Sequence, residues 1–311
     1  MKKLFTLLAL TISFSMNAQI STSATNNSGT FASAIGHSTT ATGNASTAMG
    51  ISTTASGNYS TATGNVSTAS GDRSTAMGNW TTASGYASTA MGDGTTASGD
   101  YSTAMGNGST ASGTSSLAIG LSSTASDSHS IAIGRSTTSS GSHSVAMGFG
   151  TTASGSRSTA TGAYTTASDF GSTVIGQYNS SGSSVTGSAT AFSTANTAFV
   201  IGNGTASNAK SDAFKVMFNG DTTIGNDATI GNDATIGNDL TVSGDVVISS
   251  DARLKSNIVS LGSTLPKLLQ IDGKSYEMKG KQKIGVLAQE IQEVFPELVS
   301  EDDNEMLAVN Y

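Results

Sequence analysis

Residues 74–87 read Ser74-Thr75-Ala76-Met77-Gly78-Asn79-Trp80-Thr81-Thr82-Ala83-Ser84-Gly85-Tyr86-Ala87, and the chain on either side repeats that pattern every fourteen residues. Within the unit, glycine recurs every seven. Between residues 36 and 176 it fills 19 of 21 such slots, and Asp127 and Asp169 occupy the other two. A seven-residue period can denote a coiled coil, but glycine and β-branched threonine in every heptad oppose a helix. The stretches between glycines have the length of a short strand. Asn or Asp often follows the glycine (Asn44, Asn58, Asn65, Asp72, Asn79, Asp93), and both tolerate the positive φ of a tight corner. The glycines are therefore expected to mark the corners of a stacked coil of strands.

The alternation within the unit assigns its faces. Two residues before nearly every glycine stands Ala (34, 41, 48, 55, 62, 69, 76, 83). One residue before, odd heptads carry Ile35, Met49, Met77, Met91, Met105, Ile119, Ile133, Met147 and Ile175, whereas even heptads carry Ser or Thr. Side chains two apart on a strand share a face, so Ala and Gly line one face. That face is expected inside, because stacked Ala fills a narrow coil without voids. The reverse would bury rows of Ser and Thr hydroxyls with few partners. Each turn then shows one polar strand and one Ile/Met strand to the outside. At about 4.8 Å per strand, roughly ten turns line up an apolar stripe near 50 Å long. A stripe of that size exceeds what a monomer tolerates in water, so it is expected to be covered by copies of the same chain. The competing reading has Ile and Met filling a wider monomeric coil.

Composition narrows the class. Two prolines among 311 residues exclude collagen, and 11% charged residues exclude a typical disordered chain. Without cysteine there is no disulfide, thiolate metal site, cysteine nucleophile or lipid-anchoring cysteine. A net charge of −7 offers no basic surface for nucleic acid. Met1-Lys2-Lys3, the apolar run Leu4 to Met16 and a small residue at Ala18 read as a signal peptide over residues 1–18. Later segments are too short to span a membrane as a helix. The mature chain is expected to be exported, secreted or held at the cell surface, with no integral membrane segment and no cofactor or metal site. His37, His129 and His143 are read as isolated and solvent-facing.

The units Ser116-Leu117-Ala118-Ile119-Gly120, Ser130-Ile131-Ala132-Ile133-Gly134 and Ser144-Val145-Ala146-Met147-Gly148 resemble the head repeats of the YadA-like trimeric autotransporter adhesins over about residues 30–178. The resemblance implies a mainly β fold, a left-handed parallel β-roll of fourteen-residue turns, assembled as a homotrimer at a bacterial surface. It does not imply autotransport, because neither a coiled-coil stalk nor a translocating barrel is read after the repeats. With the roll assigned to residues 19–205, the next segment, 206–249, changes period. Ala213 to Phe218 reads as one strand closed by Asn219-Gly220, a strong turn signal. Ile224, Ile230, Ile236, Val242 and Ile248 then recur every six residues. That spacing suits a trimeric β-stalk, with a short single-chain β-helix as the alternative.

Residues 250–311 are rich in Lys, Glu, Leu and Gln. Leu265 to Ile271 reads as a short helix capped by Ser263 or Thr264, and Ile284 to Phe295 as a second apolar-periodic segment stopped by Pro296. So short a piece is too small to bury a sufficient core alone. Its blocks Ser249-Ser250-Asp251-Ala252-Arg253-Leu254-Lys255, Tyr276-Glu277-Met278-Lys279, Ile284-Gly285-Val286-Leu287-Ala288-Gln289-Glu290 and Val294-Phe295-Pro296-Glu297-Leu298-Val299 resemble the intramolecular chaperone peptidase of phage endosialidases and tail spikes. By resemblance this α+β domain assists trimer folding and then cuts itself off at Ser249–Ser250, with Ser250 as nucleophile and Lys255 as base. Attack on the adjoining peptide is intramolecular and gains from proximity, and a desolvated Lys is a competent base. The activity is at most one turnover per chain. In the family a long helix usually follows the final block, whereas this sequence ends at Tyr311, so the domain is read as partial and its cleavage competence stays open.

The leading function is thus an exported trimeric fibre, adhesin-like, with a host-surface, matrix or glycan ligand. Tyr59, Trp80, Tyr86, Tyr101, Phe149 and Tyr164 are aromatics suited to stacking on sugars. A phage-derived tail fibre that binds a receptor is the alternative. A remote third is an ice-binding β-solenoid, suggested by the outward pairs Thr40/Thr42, Thr54/Ser56, Thr82/Ser84, Thr96/Ser98 and Thr152/Ser154.

Overall fold

The computed structural model describes residues 23–230, 234, 236, 256–260, 262–278, 280–301 and 307–309. The signal peptide expected over residues 1–18 lies outside them. The chain divides into two compact units, Met1–Asn232 and Asp233–Tyr311.

The first unit is a parallel β-solenoid. Each fourteen-residue turn contributes one five-residue strand, such as Thr47–Ile51, Thr61–Asn65 and Thr75–Asn79, and one two-residue strand, such as Thr54–Ala55 and Thr68–Ala69. The short strands stack into a ten-stranded sheet. The long ones form a sheet that Thr197–Asn203 continues in parallel, and Asp212–Met217 and Thr222–Ile224 extend it antiparallel to fourteen strands. Asn219-Gly220 makes the expected turn between these last two, with Gly220 at φ 94°. The sheet therefore runs on without interruption past residue 206, where the stalk segment was expected to begin.

Strand register equals the sequence period, so identical residues stack: Ala76 on Ala90, Met77 on Met91, Gly78 on Gly92. The alanines from Ala41 to Ala132 are fully buried, stacked in one row on each sheet, and form one cluster, as the alternation predicts. Val174 and Val200 take over at the far end.

Two expectations need correction. The residue two before each alanine shares its inward face, so Thr39, Ser46, Thr53, Ser60 and their equivalents are buried beside it. Facing Ala inward therefore does not spare the hydroxyls. Some serines bond to carbonyls, as Ser46 Oγ donates to Gly43 O (2.7 Å) and Ser67 Oγ to Gly78 O (2.9 Å). The hydroxyls of Thr39, Thr53, Thr81, Thr95, Thr151 and Thr165 have no hydrogen-bond partner among the described residues. The left-handed corner residue, moreover, is the second after the glycine: Ala45, Tyr59, Arg73, Trp80 and Tyr101 have φ between 52° and 59°, and Asn44, Asn58 and Asn79 do not share it.

The glycines serve a different need, close stacking. A Cβ on Gly57 would lie 2.0 Å from the carbonyl oxygen of Gly71 one turn on, and one on Gly50 equally near Gly64 O, with Gly50 also at φ 125°. At these positions a side chain would collide with the backbone of the next turn, which is why glycine fills 19 of the 21 slots.

In the second unit Lys274–Met278 and Lys281–Gly285 pair antiparallel around Gly280, at φ 72°. Helix α1 spans Leu265–Leu268 with Thr264 at its N-cap position, although the Thr264 side chain makes no capping bond. Ile284 belongs to the hairpin, 86% exposed, and helix α2 starts only at Ala288 and runs to Val294. Pro296 ends it as expected, since the residue before proline, Phe295 at φ −138°, is pushed out of helical geometry. Val299–Glu301 pairs with Leu307–Val309. Among the described residues of this unit, Ile291 is the one buried hydrophobic side chain.

Candidate functional site

The long-strand sheet carries the expected stripe on its outer face. One column runs Ile35, Met49, Thr63, Met77, Met91, Met105, Ile119, Ile133, Met147, Thr161, Ile175 and Ile201, each paired with the next across adjacent strands. Two residues earlier on the same face, threonines give way to Leu117, Ile131 and Val145. The apolar band is therefore widest around residues 117–147. Stacking half-covers each side chain, yet Met49 and Met77 remain 45% and 44% exposed. No charged residue interrupts the column. The interior has no room for these side chains, because alanine and the hydroxyl row fill it.

The opposite, short-strand sheet presents an unbroken outward ladder of ten threonines, Thr40 through Thr166. Corners carry further columns at fourteen-residue spacing. Asn65 donates to Asn79 (2.8 Å), Asn79 to Asp93 (2.6 Å) and Asn107 to Asp93 (2.9 Å).

His129 and His143 stack with ring centroids 4.6 Å apart, so they face solvent as expected but are not isolated from each other. The spacing of fourteen was the signal that places them on adjacent turns. The expected aromatics divide between the two corners. Tyr59, Tyr86 and Tyr101 lie on one, Trp80, Phe149 and Tyr164 on the other, so they form no single platform. Several ring faces are already engaged: Tyr86 meets Tyr101 edge-on at 5.4 Å, and Tyr164 contacts both Phe149 and Tyr178 at 4.7 Å.

Ser249, Ser250 and Lys255 lie outside the described residues. Downstream, Lys274 donates to Asp272 (2.8 Å) and meets Glu290 Oε1 at 3.0 Å, tying the hairpin to α2. The hydrogen bond from Lys274 holds the Asp272 carboxyl below its usual pKa. Hydrogen bonds to Asp272 and then Glu290 raise that of Lys274. Among the described residues no cluster of His, Asp or Glu could hold a metal ion, and no helix is long and apolar enough to cross a membrane.

A solenoid with fourteen-residue turns, an alanine interior and one outward apolar column is the architecture expected of an adhesin-type head. Comparison with known families agrees: residues 28–165 match the YadA head domain repeat in seven places, each covering two copies, and residues 250–300 match the chaperone of endosialidase. The chain carries YadA-type head repeats followed by an endosialidase-type chaperone segment, the combination of a trimeric adhesin- or tail-fibre-like protein. No curated protein matches the chain.

Proposed function

We propose that this protein is an exported, homotrimeric, adhesin-like surface fibre. Its head packs three solenoids along the Ile/Met column, and its C-terminal domain guides trimer folding and then releases itself by cleavage at Ser249–Ser250. The observation that carries the reading is the continuous, uncharged outer column from Ile35 to Ile201. Burying that column against sister chains removes an apolar band too long for a monomer to leave in water. Ile230 and Ile236, at about half exposure in the single chain, belong to the six-residue repeat and would be covered in a trimeric stalk that begins after the sheet's last strand, Thr222–Ile224, rather than at residue 206. The roles of Ser250 as nucleophile and Lys255 as base are carried over from the resemblance, and the family match over residues 250–300 supports the reading. In the reaction the Ser250 hydroxyl would attack the Ser249 carbonyl as Lys255 takes its proton; the Ser249–Ser250 C–N bond would break as that proton passes to the Ser250 nitrogen, and water would hydrolyse the resulting ester to a Ser249 carboxylate and a free Ser250 hydroxyl. The adhesin-type head argues for a surface or extracellular location.

The test is the mass of the full chain, native and denatured. A native particle of three chains whose denatured product ends at Ser249, with Ser250→Ala leaving the chain whole, is the expected result. A lone chain at high dilution overturns the trimer, and an uncut wild-type chain overturns the cleavage.

The ten-threonine ladder favours one second reading, binding of ordered water or ice, because it is a regular, uncharged array of hydroxyl and methyl groups. A thermal-hysteresis assay without effect removes it.

A further inference from the structure

We infer that the loop-walled groove at Arg157 is a binding site for an acidic saccharide, the sugar carboxylate seated on the Arg157 guanidinium. The groove occurs where the repeat is broken. Thr173 pairs with Phe199, 26 residues on, where the period requires 14, so residues 178–196 are looped out. The aspartate in the glycine slot at 169 fastens this loop. Fully buried, its Oδ1 accepts from Thr186 N–H (2.7 Å) and its Oδ2 from the Thr186 hydroxyl (2.7 Å) and Thr197 N–H (2.8 Å). Asn196, also fully buried, accepts from Ser188 N–H (2.6 Å) and donates to the carbonyls of Ser188 (3.0 Å) and Ala191 (3.3 Å). Backbone bonds from Ser156 to Ala189 and from Phe170 to Ser188 lay the loop along the corner.

The result is a groove of about 370 Å³ lined by Ser142, His143, Ser156, Arg157, Phe170 and Thr190, a volume in the range of small-molecule sites. No carboxylate lines it, against a chain of net charge −7. Arg157 forms no ion pair among the described residues; its guanidinium lies over the Phe170 ring at 5.3 Å, and both residues line the groove. The N–H edge of a guanidinium matches a carboxylate in two parallel hydrogen bonds. His143, oriented by stacking on His129 and by Ser142 Oγ at 2.9 Å from its Nδ1, adds a polar wall. The hydroxyls of Ser142, Ser156 and Thr190 suit sugar hydroxyls, and Phe170 offers an apolar edge to the C–H face of a ring. A neutral sugar would forgo the arginine, and a simple anion would forgo the remaining contacts. The site lies within one chain and stands apart from the trimer and cleavage readings.

Calorimetric titration of the full chain with sodium glucuronate, N-acetylneuraminate, glucose and sodium acetate tests the assignment. At least one sugar acid is expected to bind, with glucose and acetate at least tenfold weaker. Arg157→Ala and Arg157→Gln should each weaken binding at least tenfold, and Thr190→Trp should block the groove. Arg73→Ala, which removes another ring-stacked arginine (Arg73 over Tyr86, 5.4 Å), should change nothing. No binding of either sugar acid overturns the proposal, as does equal binding of glucose or full affinity in the Arg157 variants. Circular dichroism confirms that the exposed substitutions leave the solenoid folded.

Discussion

In the head every turn delivers an alanine to a column of alanines, and the next turn repeats the contact in the same register. In the C-terminal unit Ile291 alone among the described hydrophobic residues is buried, while Ile258, Val259, Leu269 and Ile284 are largely exposed. The first unit thus closes its core within one chain and leaves an apolar column only on its outside. Among its described residues, the second leaves most of its large apolar side chains outward and buries one. A domain that lacks a core in isolation is stabilised by what it packs on, which fits a chaperone segment acting on an assembled partner. On the proposed reading, sister chains cover the head's outer column and give the C-terminal unit something to pack on.

Substitutions in the two units sharpen this contrast. The largest effect is expected from Met91→Asp, which puts a carboxylate into the outer column: an unpaired charge buried between chains costs about 3–5 kcal/mol. Light scattering should report monomers while circular dichroism reports an intact solenoid, and an unchanged particle mass would show that the column faces solvent. Next is Gly92→Ala. Its new Cβ would meet Gly106 O at 2.0 Å with the backbone at φ 121°, so strain and overpacking should cost about 2–4 kcal/mol within a single chain. Thermal unfolding should show the head destabilised at any protein concentration.

A smaller effect follows from Thr95→Val. Its hydroxyl is buried and unpartnered, and replacing it with a methyl of similar shape should be neutral or stabilising by up to about 1 kcal/mol. A loss of more than that in denaturant unfolding would reveal a hydrogen bond at Thr95. The smallest belongs to the Lys274 clasp. The lowered pKa of Asp272 supplies stability at pH above its unfolded pKa, lost as pH falls through the folded one. The raised pKa of Lys274 supplies stability at pH below its unfolded pKa, lost as pH rises through the folded one. The pair is exposed and therefore weak, so Lys274→Met should slightly flatten the pH profile of the C-terminal unit at both ends and leave the head unmoved.

The repeat was legible because its period and its register are the same number. Once glycine recurs every seven residues and Met every fourteen, parallel stacking, the alanine interior and the outer column follow from strand geometry alone. The family resemblances lay in short contiguous blocks and were equally readable. The exact corner residue was not, since the αL position falls two residues after the glycine on side chains as different as Trp80, Tyr59 and Arg73. Nor was the buried hydroxyl row, because Ser and Thr read as outward residues until the strand's other inward position is counted. The His129–His143 stack was written in the spacing but hidden by reading each His alone.

By itself the sequence determined the fourteen-residue coil, its alanine core and the apolar column, because a periodic chain has one register in which like residues meet and close stacking favours glycine at the slot. Only the tertiary structure decided what the interruptions do. Asp169, a mere missing glycine in the sequence, becomes a buried clasp that holds twelve extra residues against the Arg157 corner. That outcome depends on contacts between segments seventeen and more residues apart, which no local period encodes.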